Sequence, residues 1–181
     1  MEKFYSINIA GVTRELPICP VNDKMDIAAF VMFGDVELTI RAAEELLKKA
    51  PDFDLILTAE SKGIPLAYEM SRESGKKYVL ARKSPKLYMK KPIKIEVKSI
   101  TTAKLQELYL DQADADLLKG KRVLIVDDVI STGESLKALE GLLEQTGAII
   151  VAKMAVLAEG DAAKRNDIIF LEHLPLFLRS Y

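Results

Sequence analysis

Apolar and polar positions along this chain change rhythm several times, and each change predicts an element. Residues 4 to 19 alternate loosely around Gly11, as a short hairpin does, and the stretch from Pro17 to Asp26 interrupts them with Pro, Asn and Asp. From Gly34 to Ala50, apolar side chains recur at Val36, Ile40, Ala43, Leu47 and Ala50. That spacing predicts a helix whose other face carries acids and bases. A strand is predicted near Asp54 to Thr58, then a helix from Gly63 towards Gly75 with Pro65 in its first turn, then a strand at Tyr78 to Arg82. Proline suits that place because first-turn amides have no partner within the helix. Further on, RVLIVDD is a short continuous apolar strand, and a helix follows from about Gly133 to Thr146. In it Leu136, Leu139 and Leu143 face inward and Gly147 is the stop. IIVAKMAVLA is another strand.

Strands that alternate with helices and are apolar on both faces predict an α/β fold, a mainly parallel sheet with helices on both faces. Ligands of such sheets sit beyond the carboxyl ends of the strands, where the strand order reverses. Functional residues are therefore expected just after strands. Between Lys83 and Lys121 the periodicity weakens, with a basic run (ARKSPKLYMKKPIK) before a polar one (KSITTAKLQ). A stretch of that length inside a compact domain is usually functional or mobile, and part of it is expected to act as a lid.

Composition narrows the possibilities. The 181 residues suit one well-buried core, so a single domain is expected over 1–181. Lysine plus arginine (26) nearly cancels aspartate plus glutamate (27), which argues against a nucleic-acid or acidic-membrane partner and requires any phosphate recognition to be local. The single cysteine, Cys19, excludes an internal disulfide and suits a reducing cytoplasm. The single histidine, His173, lies in an apolar run and reads as a packed structural residue, which argues against hydrolase triads. The first residues carry acids and no continuous apolar core of a leader, and no window approaches the ~18 apolar residues of a membrane span. The expectation is a cytoplasmic protein.

The chemistry is concentrated in VLIVDDVISTGES, residues 123 to 135. A buried strand ends in two adjacent acids, Asp127 and Asp128, and a Ser-Thr-Gly loop then enters a helix. Hydroxyls and free helix-start amides make a cradle for phosphate, and Gly133 permits close backbone approach. Two carboxylates would repel that phosphate. They suit something a few ångströms away that presents hydroxyls or cations, and a ribose 5-phosphate offers both.

This segment closely resembles the phosphoribosyl diphosphate (PRPP) signature of type I phosphoribosyltransferases. The resemblance implies that Asp127 and Asp128 hold the ribose hydroxyls while Ser131, Thr132, Gly133, Glu134 and Ser135 hold the 5'-phosphate. LTAESKGIPLA resembles the Glu-Ala-Arg-Gly turn of the adenine branch. It implies a diphosphate site at Glu60, Ser61, Lys62 and Gly63, with a cis peptide joining Ser61 to Lys62. VLARKSPKL resembles that branch's Arg-Lys-x-x-Lys-Leu stretch and implies that Arg82, Lys83 and Lys86 meet the departing diphosphate, some of them from a neighbouring subunit.

The adenine branch also has a catalytic glutamate before Tyr-Gly in its mobile loop. Glu96 is the nearest counterpart, with Val97 and Lys98 in place of Tyr-Gly, and the Phe-Arg-Asp type segment of the adenine pocket is not recognisable. The resemblance covers most of residues 34 to 160, the expected core. Residues 1–33 and 161–181 are expected to form a small hood over the base. The implied activity is transfer of phosphoribosyl from PRPP to a purine, with adenine ahead of hypoxanthine, guanine, xanthine or a pyrimidine. It also implies Mg2+ carried mainly by PRPP and water, no direct metal ligand from the protein, and a homodimer. A PRPP-sensing regulator without catalysis is the competing reading.

Overall fold

The computed structural model describes residues 3–98 and 105–179. The chain opens with β1 (Phe4–Ile9) and β2 (Val12–Asn22), joined at Gly11 as an antiparallel hairpin, and continues into β3 (Met25–Ala28). The expected interruption from Pro17 onward does not occur. β2 runs through both prolines; Pro17 faces Phe4 at the end of the β1 ladder, and the missing amide of Pro20 is tolerated at the register shift between Pro20 and Asn22.

Helix α1 (Val36–Lys49) is capped by Asp35, whose side chain accepts from the Leu38 amide. Its buried row is not the one expected. Leu38, Ala42, Ala43 and Leu46 face the core, whereas Val36 is 68% exposed and Ile40 only partly covered. Two apolar rows run side by side on this helix, and the row with alanines at its centre allows the closer approach to the sheet. Arg14 of β2 donates to Asp35 at 2.7 and 3.0 Å and to Glu37 at 2.8 Å, which ties the hairpin to the helix start.

The rest of the chain alternates as expected. β4 (Leu55–Ala59), α2 (Ile64–Ser74) and β5 (Lys77–Ala81) come first. The weakly patterned stretch then folds into an antiparallel hairpin, β6 (Ile93–Lys98) with β7 (Leu105–Leu110), and a short helix, α3 (Gln112–Leu118). Residues 99–104 of the expected lid lie outside the described residues. β8 (Arg122–Ile130), α4 (Glu134–Thr146), β9 (Ile149–Glu159), β10 (Ile169–Leu174) and β11 (Leu176–Leu178) complete the chain.

Five parallel strands form the central sheet in the order β10-β9-β8-β4-β5. Each apolar run is split between two cores. Ile56, Leu124 and Val126 pack with α1, α2 and the N-terminal hairpin, while Leu55, Leu57, Val123 and Ile125 pack with α4 and the β7 residues Leu108 and Leu110. Burial on both faces is why these strands lack alternation. The β6–β7 hairpin is therefore partly a wall of the second core, not only a flap.

A second sheet, β1-β2-β3-β11, is antiparallel and, built from segments expected to form the hood, takes that name. The C-terminal boundary shifts from the expected one, because β10 belongs to the central sheet and only β11 joins the hood. His173 on β10 is exposed, not packed, since it lies on the edge strand with its side chain turned outward.

Asp35 unites the helix cap with the Arg14 tie. Asp35→Ala is expected to lower the folding stability by about 1 kcal/mol through the lost cap alone, read as a reduced denaturant midpoint with an unchanged slope.

Candidate active site

Strand order reverses between β4 and β8, and the loops that follow these two neighbours meet there. A cleft of about 620 Å3 opens above them. Its floor holds Ala59 to Lys62, Asp127 to Val129, Ser131 and Ser135. Lys83, Gln106 and Leu108 line one wall, and the hood segment Ile27 to Val31, with Glu159 and Leu174, lines the other.

The loop after β4 is pressed against the carboxyl-end part of β8. A Cβ on Gly63 would stand 2.4 Å from Thr58 Oγ1, 3.0 Å from Asp127 Oδ1 and 3.2 Å from Asp127 Cα, so no side chain fits. A non-proline cis peptide lies in this turn between Glu60 and Ser61, one bond earlier than the resemblance implied. Ser61 accepts the Ile64 amide through its carbonyl, and the cap of α2 is Gly63, without a side-chain cap bond.

Asp127 Oδ1 accepts the Asp128 amide at 2.9 Å. The Asp128 side chain is buried, with Oδ2 3.7 Å from Lys62 Nζ and without a hydrogen-bond partner. Burial, and next the adjacent Asp128 charge, push the Asp127 carboxyl well above the usual carboxylate range. A pair held in this way accepts donors or a cation brought by a ligand.

Beyond the acids, the Ser131 to Ser135 loop encloses a smaller hollow of about 100 Å3 lined by Asp127 and Val129 to Leu136. Gly133 has φ +81° and caps α4 without any side-chain bond to the helix amides. No side chain at the cap position competes for the first-turn amides, which suits a phosphate site.

Glu60 has a different task from ligand contact alone. Its carboxylate accepts the Lys83 amide at 2.9 Å and approaches Arg82 Nη2 at 3.2 Å, and that amide bond, with Arg82 behind it, holds it below the usual range. Arg82 also exchanges backbone bonds with Tyr109 of β7. The pair thus latches the β4 loop to the β5 end and the hairpin. Lys62 and Lys83 line the cleft, whereas Lys86 donates to Ser84 and lines neither hollow.

Glu96 is not brought to the site. It pairs across the hairpin with Glu107, and both bind Lys94 on the face opposite Gln106 and Leu108, which line the cleft. Strand alternation fixes this, because a residue paired with Glu107 must share its face. Reading the sequence missed Gln106, Glu159 and the Ile27–Val31 wall. For Gln106 the hairpin register would have been the signal.

The chain matches the family model described as "Phosphoribosyl transferase domain" over residues 36–173. It is 37% identical over 138 residues to adenine phosphoribosyltransferase of Cenarchaeum symbiosum, covering 71% of this chain and 78% of that protein. It is 38% identical over 113 residues to hypoxanthine/guanine phosphoribosyltransferase of Methanocella paludicola. That match covers 62% of this chain and only 56% of the relative, so the chain spans little more than half the length of this protein. The structure of adenine phosphoribosyltransferase from Thermoanaerobacter pseudethanolicus shares the fold, with a TM-score of 0.66 at 22% identity, over 94% of this chain and 95% of that one.

The raised Asp127 carboxyl makes stability depend on pH with a definite sign. Above its ordinary pKa of 3.8, the unfolded chain has released a proton that the folded chain keeps. Stability should therefore fall as pH rises from about 5 to 8, by at most about 1.4 kcal/mol per unit from this group. Asp35, Asp54 and Asp167, all lowered by basic partners, are ionised in both states throughout that window and add no slope. Denaturant titrations of the ligand-free protein and Asp127→Asn test this. A slope unchanged in the variant would refute the assignment.

Proposed function

The chain belongs to the phosphoribosyl transferase domain family, and we propose that it transfers the 5-phosphoribosyl group of PRPP to a purine, releasing diphosphate. The observation that carries this reading is one cleft that joins the Asp127–Asp128 pair to a loop whose glycine cap puts no side-chain cap bond on the start of α4. The spacing suits a pentose, whose 5'-phosphate enters the Ser131–Ser135 loop while its 2'- and 3'-hydroxyls donate to Asp127 and Asp128.

In the proposed reaction a base nitrogen forms a bond to C1 of the ribose as the C1–O bond to diphosphate breaks. Positive charge develops on the sugar, and the acid pair beneath it favours that charge electrostatically. Lys62 and Lys83, which line the cleft, meet the leaving diphosphate, and Arg82 offsets the charge of Glu60 beside it. Hood residues Ile27 to Val31 offer an apolar wall and backbone groups for the base.

The oxygen-rich donor set fits Mg2+, and Asp128 Oδ2 is an unsatisfied buried acceptor. Among the described residues no cluster of three His, Cys, Asp or Glu forms a protein cage. Mg2+ would therefore reach the site on PRPP and water, beside the acid pair, and would supply charge neutralisation to the leaving group.

Adenine is the first base we propose, on the likeness of the Glu60–Gly63 turn and the Arg82–Leu87 stretch to the adenine branch. Hypoxanthine and guanine are the alternative, since relatives of this chain carry both names. We further propose a homodimer in the cytoplasm. An apolar groove lined by Phe33, Val36, Ile64, Pro65 and Tyr68 supports the dimer, and it adjoins the site through Ser61, which lines both hollows.

Diphosphate release from PRPP and Mg2+ across a panel of bases tests the reaction. Turnover is expected with a purine, and silence with every base would leave only the sensor reading. The Asp127→Asn, Asp128→Asn double variant should stay folded and lose turnover by orders of magnitude. Glu96→Gln, changed on the outer face of the hairpin, should retain the parent rate within about twofold. A large loss there would show that the hairpin turns Glu96 inward during the reaction.

A further inference from the structure

Arg165 follows the short 3-10 turn Gly160–Lys164 at the end of β9 and has no part in the reading above. Its guanidinium stands directly against the phosphate loop. A Cβ placed on Gly133 would lie 2.7 Å from Nη1 and 3.9 Å from Cζ of Arg165. The other two nitrogens are taken, since Nε and Nη2 donate to Asp167 at 2.9 and 2.8 Å. The fork is fixed on one side, and Nη1 is the nitrogen turned to the loop.

Charge makes this placement informative. A phosphate monoester carries about −1.5 to −2 near neutral pH, whereas a helix N-terminus offers roughly half a positive charge. Among the described residues lining the small hollow there is no lysine or arginine. Lys62 and Lys83 line the larger cleft instead, where the diphosphate is placed. Arg165 stands against the loop at Gly133, and its side chain is 30% exposed, so solvent screens it only in part.

The surroundings hold it there. Asp167 also accepts Lys153 Nζ at 2.8 Å, and Lys153 donates to Glu140 at 2.8 Å on α4, the helix that the loop begins. Two cations and two anions balance in this chain of contacts, with the positive end against Gly133. A lysine at 165 could not hold Asp167 with two nitrogens and present a third.

We propose that Arg165 is a further residue of the 5'-phosphate site, which acts through the loop by placing positive charge behind Gly133 and fixing the loop against α4. The proposal rests on the phosphoribosyl reading. It also gives Gly133 a second constraint, because a side chain there would strain a φ of +81° and strike the guanidinium.

Calorimetric titration with ribose 5-phosphate and, separately, with inorganic diphosphate plus Mg2+ tests it on the whole chain. In Arg165→Gln, ribose 5-phosphate should bind about tenfold more weakly while diphosphate is unchanged, and Arg165→Lys should recover part of the loss. The Michaelis constant for PRPP should rise while kcat at saturation holds. Ribose 5-phosphate binding at parent strength, or parallel weakening of both ligands, would overturn the role. If Arg165→Gln does not fold, Arg165→Lys carries the same comparison, with selective weakening expected. A parent protein that binds diphosphate but not ribose 5-phosphate would sink the phosphoribosyl reading itself, a different result from any variant effect.

Discussion

The site depends on one close approach, the packing of the loop after β4 onto the end of β8. Gly63 lies so near Thr58 and Asp127 that the loop and the two strands share a surface with no room for a methyl group. This contact sets the loop against the acid pair at the foot of the cleft. It exists because β4 and β8 are neighbours at the point where strand order reverses, so their carboxyl ends open side by side.

From that contact the electrostatics follow. Burial, and next the adjacent Asp128 charge, disfavour ionisation of Asp127, whose carboxyl rises for that reason. The ligand-free site is therefore primed for hydroxyl donors and for cationic charge. Around the acids the cations are dispersed: Lys62 and Lys83 at the cleft, Arg82 in the latch with Glu60, and Arg165 behind the phosphate loop. They do not gather into one broad basic face. The near balance of charge over the whole chain agrees with such local use.

The hood and the β6–β7 hairpin perform mixed duties. The hairpin closes the second core with Leu108 and Leu110 while it offers Gln106 to the cleft, so its inner face is fixed by packing as well as by function. The hood lines the cleft with the apolar run Ile27 to Val31, which carries no charged group to select one purine over another. That fits a family neighbourhood in which relatives carry both adenine and hypoxanthine/guanine names.

The sequence by itself determined the alternating elements, the parallel character of the sheet and the phosphate loop, because these are local. Continuous apolar runs and Gly75, Gly133 and Gly147 at helix ends are written in neighbouring residues, as is the adjacent acid pair, although β8 runs on to Ile130 and so holds both acids within the strand where they were expected to end it. The tertiary structure decided which row of α1 is buried, that His173 faces outward, that Glu96 and Gln106 lie on opposite faces, and that Arg165 meets Gly133. Each of those rests on contact between residues distant in the chain, or on a strand register that a one-residue shift would invert. Local spacing carries no record of either.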